Sequence, residues 1–466
     1  MSTETLEDQI ATVNPTTGEV LEHYPYHTDS EVTNAIEKCH KAFLDWRHVS
    51  LEKRAKTIAA IGKELTANRD KLGQLMTDEM GKLLKQSGQE VDLCAAICSY
   101  TAEHGPKELK GDERTTLKGE KGLVSYEPIG VIYGIQPWNY ASYQVVRYAI
   151  ASLMAGNGVL LKHASNVTGT GKMLVKIFKD AGLPENLFTI LVIEHDQSDA
   201  IIENDLVRGV TLTGSPEAGR KIAEKAGSEL KKSVMELGSN DAYIVLEDAD
   251  LEIAVKMCVK GRIYNNGETC IAAKRFIVVD KIYDQFKEGF VAAMKAIKLG
   301  DPNKEDSQLG PMAREDLRKT LHKQVTKSVS HGAEILCGGE IPDGKGFYYP
   351  ATILGSVKPG QPAYDDELFG PVASLIKAKD AEDAMRIAND SRFGLGGGIF
   401  SKDEKGAIEL AQKHFDTGMI FINTFGLADP AMPFGGVKDS GYGREHGGFG
   451  VKEFVNVKSV VVGKSN

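Results

Sequence analysis

The chain has no cysteine framework. Its six cysteines, Cys39, Cys94, Cys98, Cys258, Cys270 and Cys337, are scattered over 466 residues without paired C-x-x-C spacing, which excludes a disulfide-stapled scaffold and a cysteine-based zinc site. No apolar run approaches the ~18 residues that a membrane span needs, and MSTETLEDQI is acidic where a secretory leader would be basic and then apolar. A cytoplasmic protein with no membrane partner is expected. Basic blocks are missing as well: 56 Lys and Arg stand against 65 Asp and Glu, a net charge of −9, so no nucleic-acid partner is expected. Tandem repeats and low-complexity linkers are also absent.

What is present is a long chain, 41% hydrophobic, with 49 glycines. Such a length exceeds one ordinary core and points to two or more domains, and the glycines suggest tight turns or close backbone approaches. Residues 29–104 carry apolar positions at helical spacing; Cys94 and Cys98, one turn apart, read as neighbours facing a core. From 108 to 129 the text turns polar and glycine-punctuated, as a strand or hairpin leaving the core would. Then VIYGI, NGVLLK, LFTILVI and VRGVTLTG alternate with helical stretches. This is the pattern of βαβ units closing into a parallel sheet, with ligands at the carboxyl ends of its strands. A second alternating region runs from about 237 to 424 through DAYIVL, KRFIVV and MIFIN, and the tail VKEFVNVKSVVVG alternates like an edge strand.

Five features could carry chemistry. NNGETCIAAKR sets Cys270 in a polar, glycine-containing turn, although a free cysteine is more often a small buried hydrophobe. VTLTGSPEAG ends a strand at Gly214 and opens a helix at Ser215, whose free N–H groups suit a phosphate, or merely begin a capped helix. Lys162 follows a buried-looking strand on the same edge and could reach ribose or phosphate, or be solvated. Glu236, in the apolar setting VMELG, would have its pKa raised by desolvation and become a proton acceptor near neutral pH, unless it caps a turn or pairs with a cation. PWNY offers the amide of Asn139 just after a strand, as an oxyanion donor or an ordinary turn residue.

Taken together with NPTTGEV, AGNGVLLK, GLPENLF, TGSPEAG, MELG, GETC, ELFGPV and PFGGVKDSGYGRE, these segments resemble the aldehyde dehydrogenase family over essentially the whole chain. Within it, KHAS, EDADLEIAVK and GPMAR are similar to the bacterial succinate-semialdehyde dehydrogenases. The resemblance implies an α/β fold. A parallel-sheet cofactor-binding domain would span 1–107 and 130–236, and an α/β catalytic domain 237–424. A small β oligomerisation arm would comprise 108–129 and 451–466, and a returning segment 425–450 would pack on both domains. It implies NAD(P)-dependent oxidation of an aldehyde, first succinate semialdehyde, through a thiohemiacetal and a thioester on Cys270. Asn139 and the Cys270 N–H would hold the oxyanion, and Glu236 would activate the hydrolytic water. Trp138, Lys162, Ser165, Gly214, Ser215, Leu237, Glu367 and Phe369 would line the cofactor. No metal is implied, and a homodimer or dimer of dimers is.

Departures from the family pattern sharpen these expectations. Ser165 stands three residues after Lys162, where many NAD-specific relatives carry a glutamate. Serine removes the charge that would repel a 2′-phosphate, so NADP is favoured, with NAD possible. Ser239 replaces a commoner second glycine. Ile271 and Ala272 follow Cys270 in place of a C-x-C, so no disulfide switch is expected there. Arg147, eight residues after Asn139, is the expected partner of a substrate carboxylate. Tyr264 replaces a second arginine, with Arg262 as a candidate substitute. Two other activities compete: a cysteine thioester hydrolase or acyltransferase without redox, and a non-phosphorylating glyceraldehyde-3-phosphate dehydrogenase.

Overall fold

The computed structural model describes residues 9–463; residues 1–8 and 464–466, the outer ends of the expected segments 1–107 and 451–466, lie outside the described residues. Helices Asp29–Trp46, Leu51–Ala67, Arg69–Met80 and Leu84–Glu108 form the expected helical layer. The first begins where Thr28 and Glu31 close a reciprocal capping box, and it buries Val32, Ile36, Cys39, Phe43 and Trp46 along one stripe. Cys94 and Cys98 are both buried in the last of the four.

The first of these helices packs on a six-stranded sheet, and the other three pack on helices Tyr143–Ala155 and Thr168–Asp180, which lie against it. Its order is Gly441–Tyr442, Lys232–Glu236, Val207–Thr213, Val131–Gln136, Gly158–His163, Phe188–Ile190. The last five strands are parallel and Gly441–Tyr442 joins antiparallel beside Glu236. Chain order runs outward from Val131–Gln136 in one direction and then jumps to its other side, so the strand order reverses there and leaves a crevice at the carboxyl ends. Asn139, Lys162, Gly214 and Glu236 all fall at that edge, because Ile135 is in register with Lys162 and with Leu212, and Thr213 with Glu236. The strand expected at LFTILVI is shorter: after Leu191 the chain leaves the ladder, and the Val192 carbonyl accepts from the His27 N–H instead.

A seven-stranded sheet is drawn from residues 242–422 and contains Ala242–Val245, Arg275–Val279, Val372–Ala378 and Gly397–Phe400 at its centre. Both faces are covered, and a continuous cluster including Tyr243, Phe276, Phe286, Phe290 and Phe400 fills its core. The expected strand MIFIN is reduced to the edge pair Phe421–Ile422.

Asp112–Thr115, Lys121–Pro128 and Val455–Val462 make a separate antiparallel sheet with Val455–Val462 as one edge. Val457, Val460, Val461 and Val462 are exposed on it. Asn157 ties this sheet to the larger one. Its Oδ1 accepts from the Ile129 and Gly130 N–H groups and its Nδ2 donates to the Phe454 carbonyl at 2.8 Å, all from a fully buried position. Asn157→Ala should therefore cost about 1–3 kcal/mol for the unsatisfied groups it leaves, read as a lower urea midpoint at unchanged slope.

Candidate active site

Helix Leu251–Ile263 ends against a turn that no ordinary residue sequence would adopt. Asn265, Asn266 and Gly267 have φ of 53°, 56° and 75°, three consecutive left-handed residues. Asparagine tolerates that region better than most residues, and here both side chains are tied down by hydrogen bonds, mostly to distant segments. Asn265 Nδ2 donates to the carbonyls of Asn139 at 2.8 Å and Glu268 at 3.1 Å. Asn266 Nδ2 donates to Gly81 and Pro311, while its Oδ1 accepts from the Gly310 N–H. At Gly267 a Cβ would collide with the backbone of Gly370. The turn delivers Cys270, the only one of the six cysteines that is not buried, to the floor of a cavity of about 1350 Å³.

Around the sulfur the polar groups converge. Asn139, 4% exposed, donates from Nδ2 to the Glu268 carbonyl at 3.1 Å, leaving its second N–H free. The Cys270 N–H has no acceptor among the described residues. Glu236 closes the strand Lys232–Glu236 and is 2% exposed, with neither carboxylate oxygen hydrogen-bonded. It neither caps a turn nor sits in an ion pair. Burial raises its pKa to about 8; Arg147 opposes the shift and Glu445 adds to it. Burial likewise pushes the Cys270 thiol up to about 12, against the pull of Lys274 and Arg147, while Glu367 and Glu236 raise it further. The two cations expected of an activating site are present, but desolvation outweighs them.

Polar groups also gather at the carboxyl ends of the six-stranded sheet, where the strand order reverses. Ser215 caps helix Pro216–Ser228, accepting from the Ala218 N–H at 3.2 Å, just after the Gly214 bend. Lys162 is 7% exposed at the end of its strand, with no hydrogen-bond acceptor or acidic partner among the described residues. Its amine pKa is lowered by burial, and its charge in turn lowers that of His195. Ser165 opens the short turn Ser165–Val167 next to it. At the other end Trp138 and Phe369 meet edge to face at 5.8 Å. Leu237 is buried beside Glu236, and a Cβ on Gly238 would lie 2.6 Å from Glu367 Oε2. The donors at this sheet edge, a capped helix start and a lysine without an acidic partner, fit the phosphates and ribose of a dinucleotide.

Two substrate expectations need correction. Arg147 does not line the cavity: its side chain is 1% exposed and forms an ion pair with Glu445, with Nη2 donating to Thr213 Oγ1 at 3.1 Å. The rings of Tyr143 and Phe434 stack on its guanidinium and face the cavity in its place. Arg262 is fully buried and spends its guanidinium on the carbonyls of Gly267 and Val372, bracing the turn from below. Tyr264 does line the cavity, its hydroxyl donating to Gln89 Oε1 at 3.2 Å. Sequence reasoning missed Glu445, Lys274, Tyr143 and Phe434. Glu445 lies about 300 positions from Arg147 in the chain, and nothing local in either segment signals the pairing. Lys274 stands in the quoted run NNGETCIAAKR, where a lysine leading into an apolar strand was the available signal.

The model of the aldehyde dehydrogenase family matches residues 2–460. The chain is similar to the NAD(P)+ succinate semialdehyde dehydrogenase Sad of Escherichia coli (strain K12), 45% identical over 448 residues, 96% of each chain. It is 41% identical over 457 residues to the NADP(+) succinate-semialdehyde dehydrogenase of Mycobacterium leprae (strain TN), covering 97% of this chain and 99% of that one. Among solved structures, the succinic semialdehyde dehydrogenase of Streptococcus pyogenes in complex with NADP+ superposes with a TM-score of 0.95 at 37% identity, over 98% of this chain and all of that one.

Because the thiolate is the reactive form and Cys270 holds its proton to about 12, iodoacetamide should alkylate this cysteine slowly at neutral pH. The rate should climb about tenfold per pH unit, with no plateau up to roughly pH 10. Mass spectrometry of the labelled protein locates the adduct; a plateau near pH 8 would contradict a thiol held protonated by desolvation.

Proposed function

The chain belongs to the aldehyde dehydrogenase family, and from that premise we propose that it oxidises a carboxylate-bearing aldehyde, first succinate semialdehyde, to the acid, favouring NADP+ over NAD+. The observation that carries this reading is a half-buried Cys270 at the cavity floor, with Asn139 beside it and the unpaired carboxyl of Glu236 nearby.

Cys270 adds as thiolate to the aldehyde carbon, and the oxygen that gains charge meets two N–H donors, Asn139 Nδ2 and the Cys270 backbone. A nicotinamide cofactor bound in the crevice supplies a hydride acceptor. Once the aldehydic hydrogen has left, Cys270 is acylated. Glu236 then takes a proton from water, which attacks the thioester and frees the acid and the thiol. Glu236 is suited to this because desolvation has brought its pKa from a carboxylate's usual range to the working pH, so that it both accepts and returns a proton.

Several features support the cofactor and substrate assignments. The dinucleotide would span from Ser165 and Lys162, past Gly214 and Ser215, to Glu367 and Phe369. At the adenosine end there is a serine and a cation, and no carboxylate on residue 165, which suits a 2′-phosphate. Lys256 and Lys260, one helical turn apart, project into the cavity lining with Lys85. None of the three has an acidic partner within ion-pair distance among the described residues. With Arg147 committed to Glu445 and Arg69 to Asp92, these lysines and Lys304, which also lines the cavity, are the cations left to attract a substrate carboxylate. On this reading 1–107 and 130–236 serve the cofactor, 237–424 carry the nucleophile, and 425–450 return across both. The open edge Val455–Val462, with its exposed valines, would be covered by a second copy in a homodimer or a pair of dimers.

Steady-state assays with succinate semialdehyde and NADP+ test the reaction. Cys270→Ser should abolish NADPH production at 340 nm, and thioester turnover without absorbance change would favour a hydrolase instead. The carboxylate of Glu236 is the active form, so kcat should fall as pH drops below about 8. Glu236→Gln should lose ~10² or more in kcat together with that limb of the profile. Lys256→Gln and Lys260→Gln should each raise KM for succinate semialdehyde about threefold to tenfold and leave butanal unchanged. Equal effects on both aldehydes would remove the carboxylate assignment, and a preference for glyceraldehyde 3-phosphate in the same panel would replace it.

A further inference from the structure

Lys274 enters from a buried backbone position. Its N–H donates to the Asp241 carbonyl and its own carbonyl accepts from the Ser374 N–H, so its α-carbon is held at the start of the seven-stranded sheet. The side chain is 1% exposed, yet it carries a full charge into the site. Burying an ammonium costs several kcal/mol unless its three donors are all engaged, and here the acceptors outnumber the donors. Nζ lies 2.9 Å from Ser239 Oγ, 3.2 Å from the Thr269 carbonyl, 2.5 Å from the Cys270 carbonyl and 3.2 Å from Glu367 Oε1. Ser239 closes the figure, because its hydroxyl accepts from Lys274 and donates to the same Cys270 carbonyl.

We propose that Lys274 is a positioning residue, a buried ammonium that, with Ser239, locks the Cys270 turn to Glu367 and so sets both the orientation of the nucleophile and its ease of ionisation. The inference rests on Cys270 being the nucleophile. It goes further by assigning work to two residues that touch neither substrate nor cofactor in the proposed reaction. It also explains Ser239. A glycine there would cut the lysine's acceptors from four to three and leave the Cys270 carbonyl without its second donor, so serine and lysine act as a matched pair on that carbonyl. The charged and titratable groups facing this point are Glu367 and Asp241 toward Lys274, Arg262 toward both of those carboxylates, and Arg147, Glu236, Glu367, Tyr140 and Tyr143 toward Cys270. Lys274 is the positive charge that most favours the thiolate among them. It is also paired with Glu367, the carboxylate proposed to line the cofactor at the end away from the adenosine. Losing it should therefore disturb two sites at once.

The test uses the full-length free enzyme and two readouts, the pH profile of Cys270 alkylation by iodoacetamide and equilibrium binding of NADP+ by quenching of protein fluorescence. Lys274→Met should alkylate about tenfold more slowly at each pH, the profile displaced upward by about one unit, and should bind NADP+ about tenfold more weakly as Glu367 loses its anchor. Lys274→Arg should recover part of both. Ser239→Gly keeps the ammonium and Glu367 in place, so it should slow alkylation about threefold while NADP+ affinity holds. It also serves as the deciding variant if Lys274→Met does not fold. A Ser239→Gly or folded Lys274→Met protein with the parent's alkylation profile overturns the proposal. Should that occur while Cys270→Ser is inactive, the reaction stands and only the role of Lys274 falls; an active Cys270→Ser removes the reaction itself.

Discussion

Three left-handed residues in succession, Asn265, Asn266 and Gly267, carry the catalytic floor of this molecule. A non-glycine residue in that region costs roughly 1–2 kcal/mol, and such a turn persists only when its surroundings over-determine it. They do so here from all sides: Asn266 spans to Gly81, Pro311 and Gly310, Asn265 spans to Asn139 and Glu268, and Arg262 holds the Gly267 carbonyl from beneath. Asn139 belongs to the same network: its carbonyl accepts from Asn265, and its amide shares the Glu268 carbonyl with Asn265, so this segment and the turn that leads to Cys270 are held together.

Dryness is the second organising fact. Glu236, Cys270, Lys274, Arg147 and Glu445 all sit where water is largely excluded, and burial is the largest cause of shift for both Glu236 and Cys270. In such a place an unpaired carboxyl is costly. The other carboxylates close to the reaction centre are matched: buried Glu445 by Arg147, buried Glu268 by the Ala313 N–H and half-buried Glu367 by Lys274. Glu236 alone has no partner. Leaving one acid unsatisfied beside a thiol is what a proton acceptor requires, since a hydrogen-bonded or ion-paired carboxylate would have been too weak a base.

Much of this could be read without coordinates. The βαβ rhythm announced the parallel sheet, and the positions of Asn139, Lys162, Gly214 and Glu236 after their strands placed them on one edge, because in a parallel sheet every carboxyl end faces the same way. Strand ends were less legible. LFTILVI contracted to Phe188–Ile190 because the carbonyl of Val192 is taken by His27, a partner about 165 residues away. The substrate arginine was misread for a related reason. Arg147 has the spacing of a substrate ligand, but whether a guanidinium faces a cavity or a carboxylate behind it depends on what the returning segment brings, and that segment brings Glu445.

The sequence by itself determined which elements form and the edge on which polar side chains gather, and it singled out the sulfur proposed to react, since these follow from periodicity, strand polarity and side-chain type. Only the tertiary structure decided which charges neutralise one another. Arg147 with Glu445, Lys274 with Glu367 and Ser239 with the Cys270 carbonyl are contacts between segments of different sheets and loops. Electrostatic energy in a low-dielectric interior depends on separations of a few ångströms that no spacing along the chain encodes.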